Sequence, residues 1–302
     1  MRYAGQLQRL QEKYFDQIPI ATLPRTAKVC GSGFWSLQAL AMLLRTCCEL
    51  EFTIAEPTPF VFMLRPFRGP QQWVAAEECR LTPTVPAFEF IDTFGNLCLR
   101  LMAPPGDFAV RASAEVMTAD NPDRAPGAPF IEVQNLPDAA LAYLLPSRYC
   151  ESDRFHNMAS EITAGQQPGY NQVVAIEAWL RERIRYLPGT SEFPESAVEV
   201  NLRQSGVCRD LTHLGIALCR SLSIPSRIVV GYLHELQPMD MHAWFEAFVG
   251  GRWYTFDAIQ ENVCGAYVVI GYGRDAADVA LYNQFGAPVD CTRQQTSVTR
   301  ID

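Results

Sequence analysis

His242-Ala243-Trp244-Phe245-Glu246-Ala247-Phe248-Val249-Gly250-Gly251-Arg252-Trp253-Tyr254-Thr255-Phe256-Asp257 is the stretch on which the fold turns. Two runs rich in aromatic residues flank Gly250-Gly251, and a two-glycine link between such runs reads as a tight hairpin turn. That turn sets the register: Val249 faces Arg252, Phe248 faces Trp253 and Trp244 faces Asp257. Opposed residues share a face, and so do positions i and i+2 along one strand. His242 and Asp257 therefore fall on one face as diagonal neighbours, with backbones about 7–8 Å apart and side chains within reach of each other. A one-residue bulge would break this parity.

A histidine next to a carboxylate is a base with its orienter, and upstream lies a nucleophile for it. Ser205-Gly206-Val207-Cys208-Arg209-Asp210 precedes a run with helical spacing that ends at Ser221, before Ile224-Pro225. A helix N-terminus favours a thiolate and offers free backbone N–H groups to an oxyanion. Cys219 shares nearly the azimuth of Cys208 but lies roughly 16 Å further along the axis. It reads as a core residue, because the Cα atoms of a disulfide lie within about 7 Å of each other.

Four histidines are available. His156 and His234 sit in polar, loop-like contexts. His213 lies about 140° round the helix from Cys208 and faces away from it, as a hydrogen-bonded core residue would. His242 remains as the base. In the resulting scheme Cys208 attacks a carbonyl, His242 takes its proton and later returns one to the leaving group, and Asp257 fixes the imidazole tautomer. The N–H of Cys208 is one oxyanion donor, with Tyr186 and Gln204 as candidates for a second. Each residue alone has a plainer reading: an inert buried thiol, a strand-end histidine, an aspartate capping the hairpin. The three in this arrangement outweigh those readings.

Around this core, Val173 to Arg185 reads as a further helix, and Ser226 to Tyr232 as another strand, which makes an α+β domain. The Pro-rich passage 117–150 is the natural boundary. Before it, Leu50, Phe52 and Ile54 alternate with polar residues, and runs at Phe60 to Leu64, Trp73 to Glu77, Phe88 to Ile91, Leu97 to Met102 and Phe108 to Val116 suggest an antiparallel β sandwich or barrel. Asp92-Thr93-Phe94-Gly95-Asn96 has the punctuation of a hairpin turn. The expected division is thus 1–45 as an extension without function, with Met42 as an alternative start, then a β-rich domain over 46–150 and the catalytic domain over 151–302.

Composition bounds the function. Of 302 residues, 25 are basic and 33 acidic, a net charge of −8 that argues against nucleic-acid binding. The longest uncharged stretch, Val29 to Leu44, is shorter than the roughly 20 residues a membrane span needs. Ten cysteines without any C-x-x-C spacing give no support to a zinc finger. Most of them are expected to be reduced, in keeping with a cytoplasmic address. A zinc site built from His234, Asp240 and His242 has poor spacing and lacks a Glu base, so neither metal nor other cofactor is expected.

The segments Gly206-Val207-Cys208-Arg209-Asp210-Leu211-Thr212-His213-Leu214, Gly231-Tyr232, His242-Ala243-Trp244-Phe245-Glu246 and Trp253-Tyr254-Thr255-Phe256-Asp257 resemble the core of bacterial transglutaminase-like proteins, often described as candidate cysteine proteases. Asp92 to Asn96 and Tyr143-Leu144-Leu145-Pro146-Ser147 resemble the β-rich N-terminal region of that family, and Gly271 to Val279 also matches. The resemblance implies a papain-like core in which a Cys-bearing helix packs on an antiparallel sheet. It also implies a cysteine peptidase or amidase that uses Cys208, His242 and Asp257 on a peptide or protein amide, without metal. Two departures bear on specificity: Ala258-Ile259 follows Asp257, and Arg209 stands where Gln is common. Members of the family are often encoded beside ATP-grasp-type peptide ligases, which makes such a ligase system an expected partner by analogy. The rival reading is a non-catalytic peptide-binding module using the same cleft.

Overall fold

The computed structural model describes residues 41–190, 193–260 and 265–301. Its N-terminal part is built from β1 (Ala41–Ile54), β2 (Thr58–Phe62), β3 (Gln72–Thr82), β4 (Ala87–Ile91), β5 (Leu97–Ala103) and β6 (Gly106–Ala119). Helices α1 (Asp138–Leu141), α2 (His156–Ile162), α3 (Tyr170–Arg183), α4 (Ala197–Arg203) and α5 (Cys208–Ser221) follow, with the two-residue strands β7 (Arg185–Tyr186) and β8 (Ser205–Gly206) between them. The chain ends with β9 (Ser226–Leu233), β10 (His242–Val249), β11 (Arg252–Phe256), β12 (Tyr267–Gly273), β13 (Tyr282–Gln284) and β14 (Cys291–Arg300).

Alternation explains the N-terminal sheets. In β6 every second residue from Phe108 to Thr118 is buried, which is the pattern of a strand with one face in the core. Two antiparallel four-stranded sheets result, ordered β14-β1-β6-β3 and β13-β2-β5-β4. Phe52 joins them through rings 5.2 Å from Phe60 and 6.1 Å from Phe62. The expected sandwich is therefore present, and two of its strands come from the far end of the chain. β13 pairs with β2 and β14 with β1, so a cut at residue 150 into 46–150 and 151–302 does not separate two contiguous bodies. Leu40–Asp302 clusters as one compact unit. β14 escapes a sequence reading because it lies at the sheet edge with mostly exposed polar side chains and no apolar alternation. The expected extension is corrected at its end, since residues 41–45 open β1 and Leu44 is fully buried. Residues 1–40 lie outside the described residues.

The second layer is an antiparallel sheet ordered β11-β10-β9-β12, with α5 packed on β10 and β9. The α+β class and the Cys-bearing helix on an antiparallel sheet are both observed. Thr212 on α5 donates to the carbonyl of Ala243, which fixes the helix over the strand. Gly250 and Gly251 take φ of +58° and +84°, the two positive angles a tight hairpin with native twist requires. β12 carries a bulge between Val269 and Gly271. Its free edge is closed by two buried amides of the N-terminal part. Gln72 donates to the Val269 carbonyl and accepts from its N–H at 2.8 Å each, and Asn96 does the same for Tyr272 at 2.7 and 2.8 Å. Among the described residues no helix is long and apolar enough to cross a membrane.

Candidate active site

Cys208 is the first residue of α5, so its N–H is one of those a helix leaves without an intrahelical acceptor. Val207 is the N-cap, and the carboxylate of Asp210 accepts its N–H at 3.2 Å. Asp210 is fully buried and also accepts from Glu195 N at 3.2 Å, which ties the preceding loop to the helix start. The short β7–β8 pair sets Tyr186 opposite Gly206, two residues before the thiol.

The hairpin register is as the sequence predicts, with Val249 opposite Arg252 and Phe248 opposite Trp253. It brings His242 and Asp257 together: Nε2 lies 2.6 Å from Oδ2, both side chains buried. Burial alone would lower the imidazole pKa, but the Asp257 charge and hydrogen bond, joined by Cys208 through hydrogen bonding and charge, raise it to about 10. Three sequence-predicted site residues are thus assembled around one ring. The other ring nitrogen, Nδ1, is buried and makes no short hydrogen bond. Cys208 is half-buried, whereas His242 and Asp257 are not reached by solvent.

Asp257 is held on all sides. Burial pushes its carboxyl pKa up, yet His242, the Ile259 N–H and the Tyr267 hydroxyl outweigh this and leave it below the usual carboxylate range. The Ile259 N–H donates to Oδ1 at 3.0 Å and the Tyr267 hydroxyl to Oδ2 at 2.8 Å. On α3, Glu177 accepts the Asp257 N–H at 2.7 Å, and Arg181 donates to its carbonyl at 3.0 Å and to Glu177 at 3.2 Å. The sequence reading missed Tyr267, Glu177 and Arg181. The Glu177–Arg181 spacing of four on a predicted helix was the one signal available for the last two.

Of the two candidate second oxyanion donors, the structure separates one from the site. Gln204 takes a left-handed conformation as the C-cap of α4 and turns its amide back to Asn201. Tyr186 stays close: burial, then the charges of Cys208, Asp240 and Asp257, push its phenol up to about 12, so it remains a donor at neutral pH. It lines a cavity of about 430 Å³ together with Leu233, His234, Glu235, Leu236, Gln237, Ile259, Gln260 and Gly265.

The remaining histidines take other roles. His156 is exposed at the start of α2, with Nδ1 3.1 Å from the Ser221 carbonyl, and His234 is on the cavity wall. His213 is fully buried, with Nδ1 donating to the Glu195 carbonyl at 2.7 Å and Nε2 accepting from Ala276 N at 3.1 Å. The eight described cysteines are all free thiols, and Cys219 is fully buried. Cys30 and Cys264 lie outside the described residues. No cluster of three or more His, Cys, Asp or Glu is placed to hold a metal ion among the described residues.

Residues 156–258, which span this site, match the transglutaminase-like superfamily. The crystal structure of a candidate cysteine protease from Cytophaga hutchinsonii superposes with a TM-score of 0.80 at 34% identity, covering 87% of this chain and 91% of that one. Protein ML0607 of Mycobacterium leprae, itself uncharacterised, is 29% identical over 231 residues, 72% of this chain and 82% of its own length. Protein Rv2569c of Mycobacterium tuberculosis, also uncharacterised, is 31% identical over 109 residues, 35% of its length. With the matched region centred on the helix and hairpin described above, and the likeness to the Cytophaga chain running over nearly the whole of both, this protein belongs to the transglutaminase-like superfamily.

Proposed function

We propose that the protein is a thiol-dependent amidase or peptidase that acts through an acyl-enzyme on Cys208, with His242 as base and Asp257 as orienter. The observation that carries this reading is the buried 2.6 Å bond between His242 and Asp257 on a ring that Cys208 also touches electrostatically. Cys208 gives its proton to His242 before Sγ attacks the amide carbonyl carbon, in keeping with an imidazole that holds a proton up to about pH 10. That imidazolium is stabilised by Asp257 and delivers the proton to the leaving amine. The oxyanion is met by the N–H of Cys208 and, in this proposal, by the Tyr186 hydroxyl. Water or a primary amine then resolves the thioester. Hydrolysis is the favoured outcome, because water is always present. Eight free thiols suit a reducing, cytoplasmic setting.

Two measurements test the reading. Iodoacetamide near neutral pH, followed by mapping of the alkylated thiol, should label Cys208 well ahead of Cys219 and Cys291. Equal rates for the three would sink the enzyme reading and favour a peptide-binding module. A peptide-library digest with wild type and Cys208→Ala, with and without added primary amine, should then yield Cys208-dependent products and separate hydrolysis from transamidation.

A further inference from the structure

We propose that Tyr267 is a positioning residue for the triad: its hydroxyl holds the Asp257 carboxylate in register with His242, on a strand that the N-terminal sheets anchor. The inference rests on the triad reading above. Asp257 Oδ2 accepts two donors, His242 Nε2 at 2.6 Å and the Tyr267 hydroxyl at 2.8 Å. The Ile259 N–H already holds Oδ1 at 3.0 Å, and the Tyr267 hydroxyl is the second donor on Oδ2, the oxygen that faces His242, so it fixes the direction in which that oxygen meets the imidazole. The Tyr267 ring is itself locked, being buried edge-on against Trp244 with centroids 4.9 Å apart.

The anchoring runs backwards from there. The Tyr267 carbonyl accepts from Thr118 Oγ1 on β6 at 3.0 Å, and further along β12 the amides of Gln72 and Asn96 hold Val269 and Tyr272. A continuous series of hydrogen bonds thus leads from the β-rich part of the chain to the imidazole. It gives that part a role in the chemistry without supplying a group that touches substrate.

The titratable and charged groups around the Asp257–His242 pair are Tyr267 from β12, Cys208 from α5 on the His242 side, Tyr186 from β7, and Glu177 and Arg181 from α3. Glu177 and Arg181 engage the main chain of Asp257, so His242 and Tyr267 are the side-chain donors to its carboxylate among the described residues. A phenol donor stabilises the ionised carboxylate against its burial. Its loss lets Asp257 take a proton at higher pH, and a protonated Asp257 no longer supports the imidazolium.

The test uses the full chain labelled with ¹⁵N-histidine and follows the His242 Nε2–H resonance as pH is lowered, in wild type, Tyr267→Phe, Asp257→Asn and the double variant. Tyr267→Phe should move the acid midpoint of that resonance up by about one pH unit, the size of one charge-assisted hydrogen bond. Cys208 alkylation inside the shifted window should fall about tenfold. In the Asp257→Asn background the same substitution should change neither reading. If Tyr267→Phe lowers the melting temperature but leaves the midpoint in place, Tyr267 is a packing residue and the proposal is overturned, while fast alkylation of wild-type Cys208 keeps the triad reading. Slow alkylation of wild-type Cys208 overturns that reading and this one with it. Should Tyr267→Phe fail to fold, wild type decides: the Tyr267 hydroxyl proton must titrate together with His242 Nε2–H, and independent behaviour refutes the proposal.

Discussion

Stability should peak near pH 6.5, because two buried histidines are displaced in opposite directions from the same starting point. An unfolded imidazole titrates near 6.5. In the folded chain burial holds His213 down to about 4, while the Asp257 and Cys208 contacts outweigh burial and hold His242 up to about 10. The geometry of His213 gives the reason. Its Nδ1–H must donate, because its partner is the Glu195 carbonyl, and its Nε2 must accept, because its partner is the Ala276 N–H. A second ring proton would abut a backbone donor inside a fully buried site. As pH falls from 6.5 to 4 the unfolded chain gains a proton at position 213 that the folded chain refuses, so about 3 kcal/mol of stability is lost. As pH rises from 6.5 to 10 the folded chain keeps a proton on His242 that the unfolded chain has released, and up to about 5 kcal/mol is lost. Other groups overlap these windows. Burial raises the Glu177 carboxyl pKa, which opposes His213 at the lower end, and burial raises the thiols of Cys48 and Cys219 to about 12, which adds a loss only above about pH 9. The decisive assay is urea unfolding from pH 4.5 to 8.5 for wild type, His213→Gln and His242→Ala, in which slopes with pH are read rather than heights. His213→Gln should flatten the acid side and His242→Ala the alkaline side. Parallel acid losses in wild type and His213→Gln would refute the account.

Two substitutions probe the contacts that hold the layers together. Asn96→Ala deprives the buried Tyr272 N–H and carbonyl of their partners, and should lower unfolding free energy by about 3 kcal/mol in urea titration. Arg220 is buried and donates to the carbonyls of Leu145, Ser226 and Arg274 and to Ser147 Oγ. Arg220→Met should cost at least about 3 kcal/mol in the same assay, and Arg220→Lys should not restore it, since one ammonium cannot span acceptors on three segments.

How much of this could be read from the residues depends on what each feature demands locally. The hairpin was legible because a two-residue glycine turn admits one register, and that register alone places His242 beside Asp257. The start of α5 was legible because Cys208 begins a segment with helical spacing that is bounded downstream by Pro225. α4 was missed although Ser196 and Glu199 form a capping box there, with Glu199 N donating to Ser196 Oγ and Ser196 N to the Glu199 carboxylate. Its seven residues are too short for periodicity to stand out. Tyr267, Gln72 and Asn96 are of another kind. Gln72 and Asn96 act through Val269 and Tyr272, 197 and 176 residues on, and Tyr267 meets Asp257 ten residues back but from another strand, so no local pattern marks any of the three.

That distinction bears on why the β-rich part stays with the sheet that carries His242. An edge strand exposes unpaired N–H and C=O groups, and β12 is the edge on the side away from β11. A further strand could have satisfied it, but the bulge between Val269 and Gly271 breaks the regular ladder that a strand would need. Side-chain amides tolerate such a break, because each carries its own donor and acceptor and can be placed separately. Gln72 and Asn96 come from different sheets, on β3 and just before β5, so the two halves of the sandwich must both be in place before the edge is closed. Gly231 shows how tightly β12 is then held, since a Cβ there would sit 2.0 Å from the Val268 carbonyl oxygen. With β12 fixed at this tolerance Tyr267 is fixed, and through it the carboxylate that orients His242. The hairpin supplies His242 and Asp257 and α5 supplies Cys208, but the placement of the Asp257 carboxylate beside His242 depends on strands β1 to β6, closed by β13 and β14.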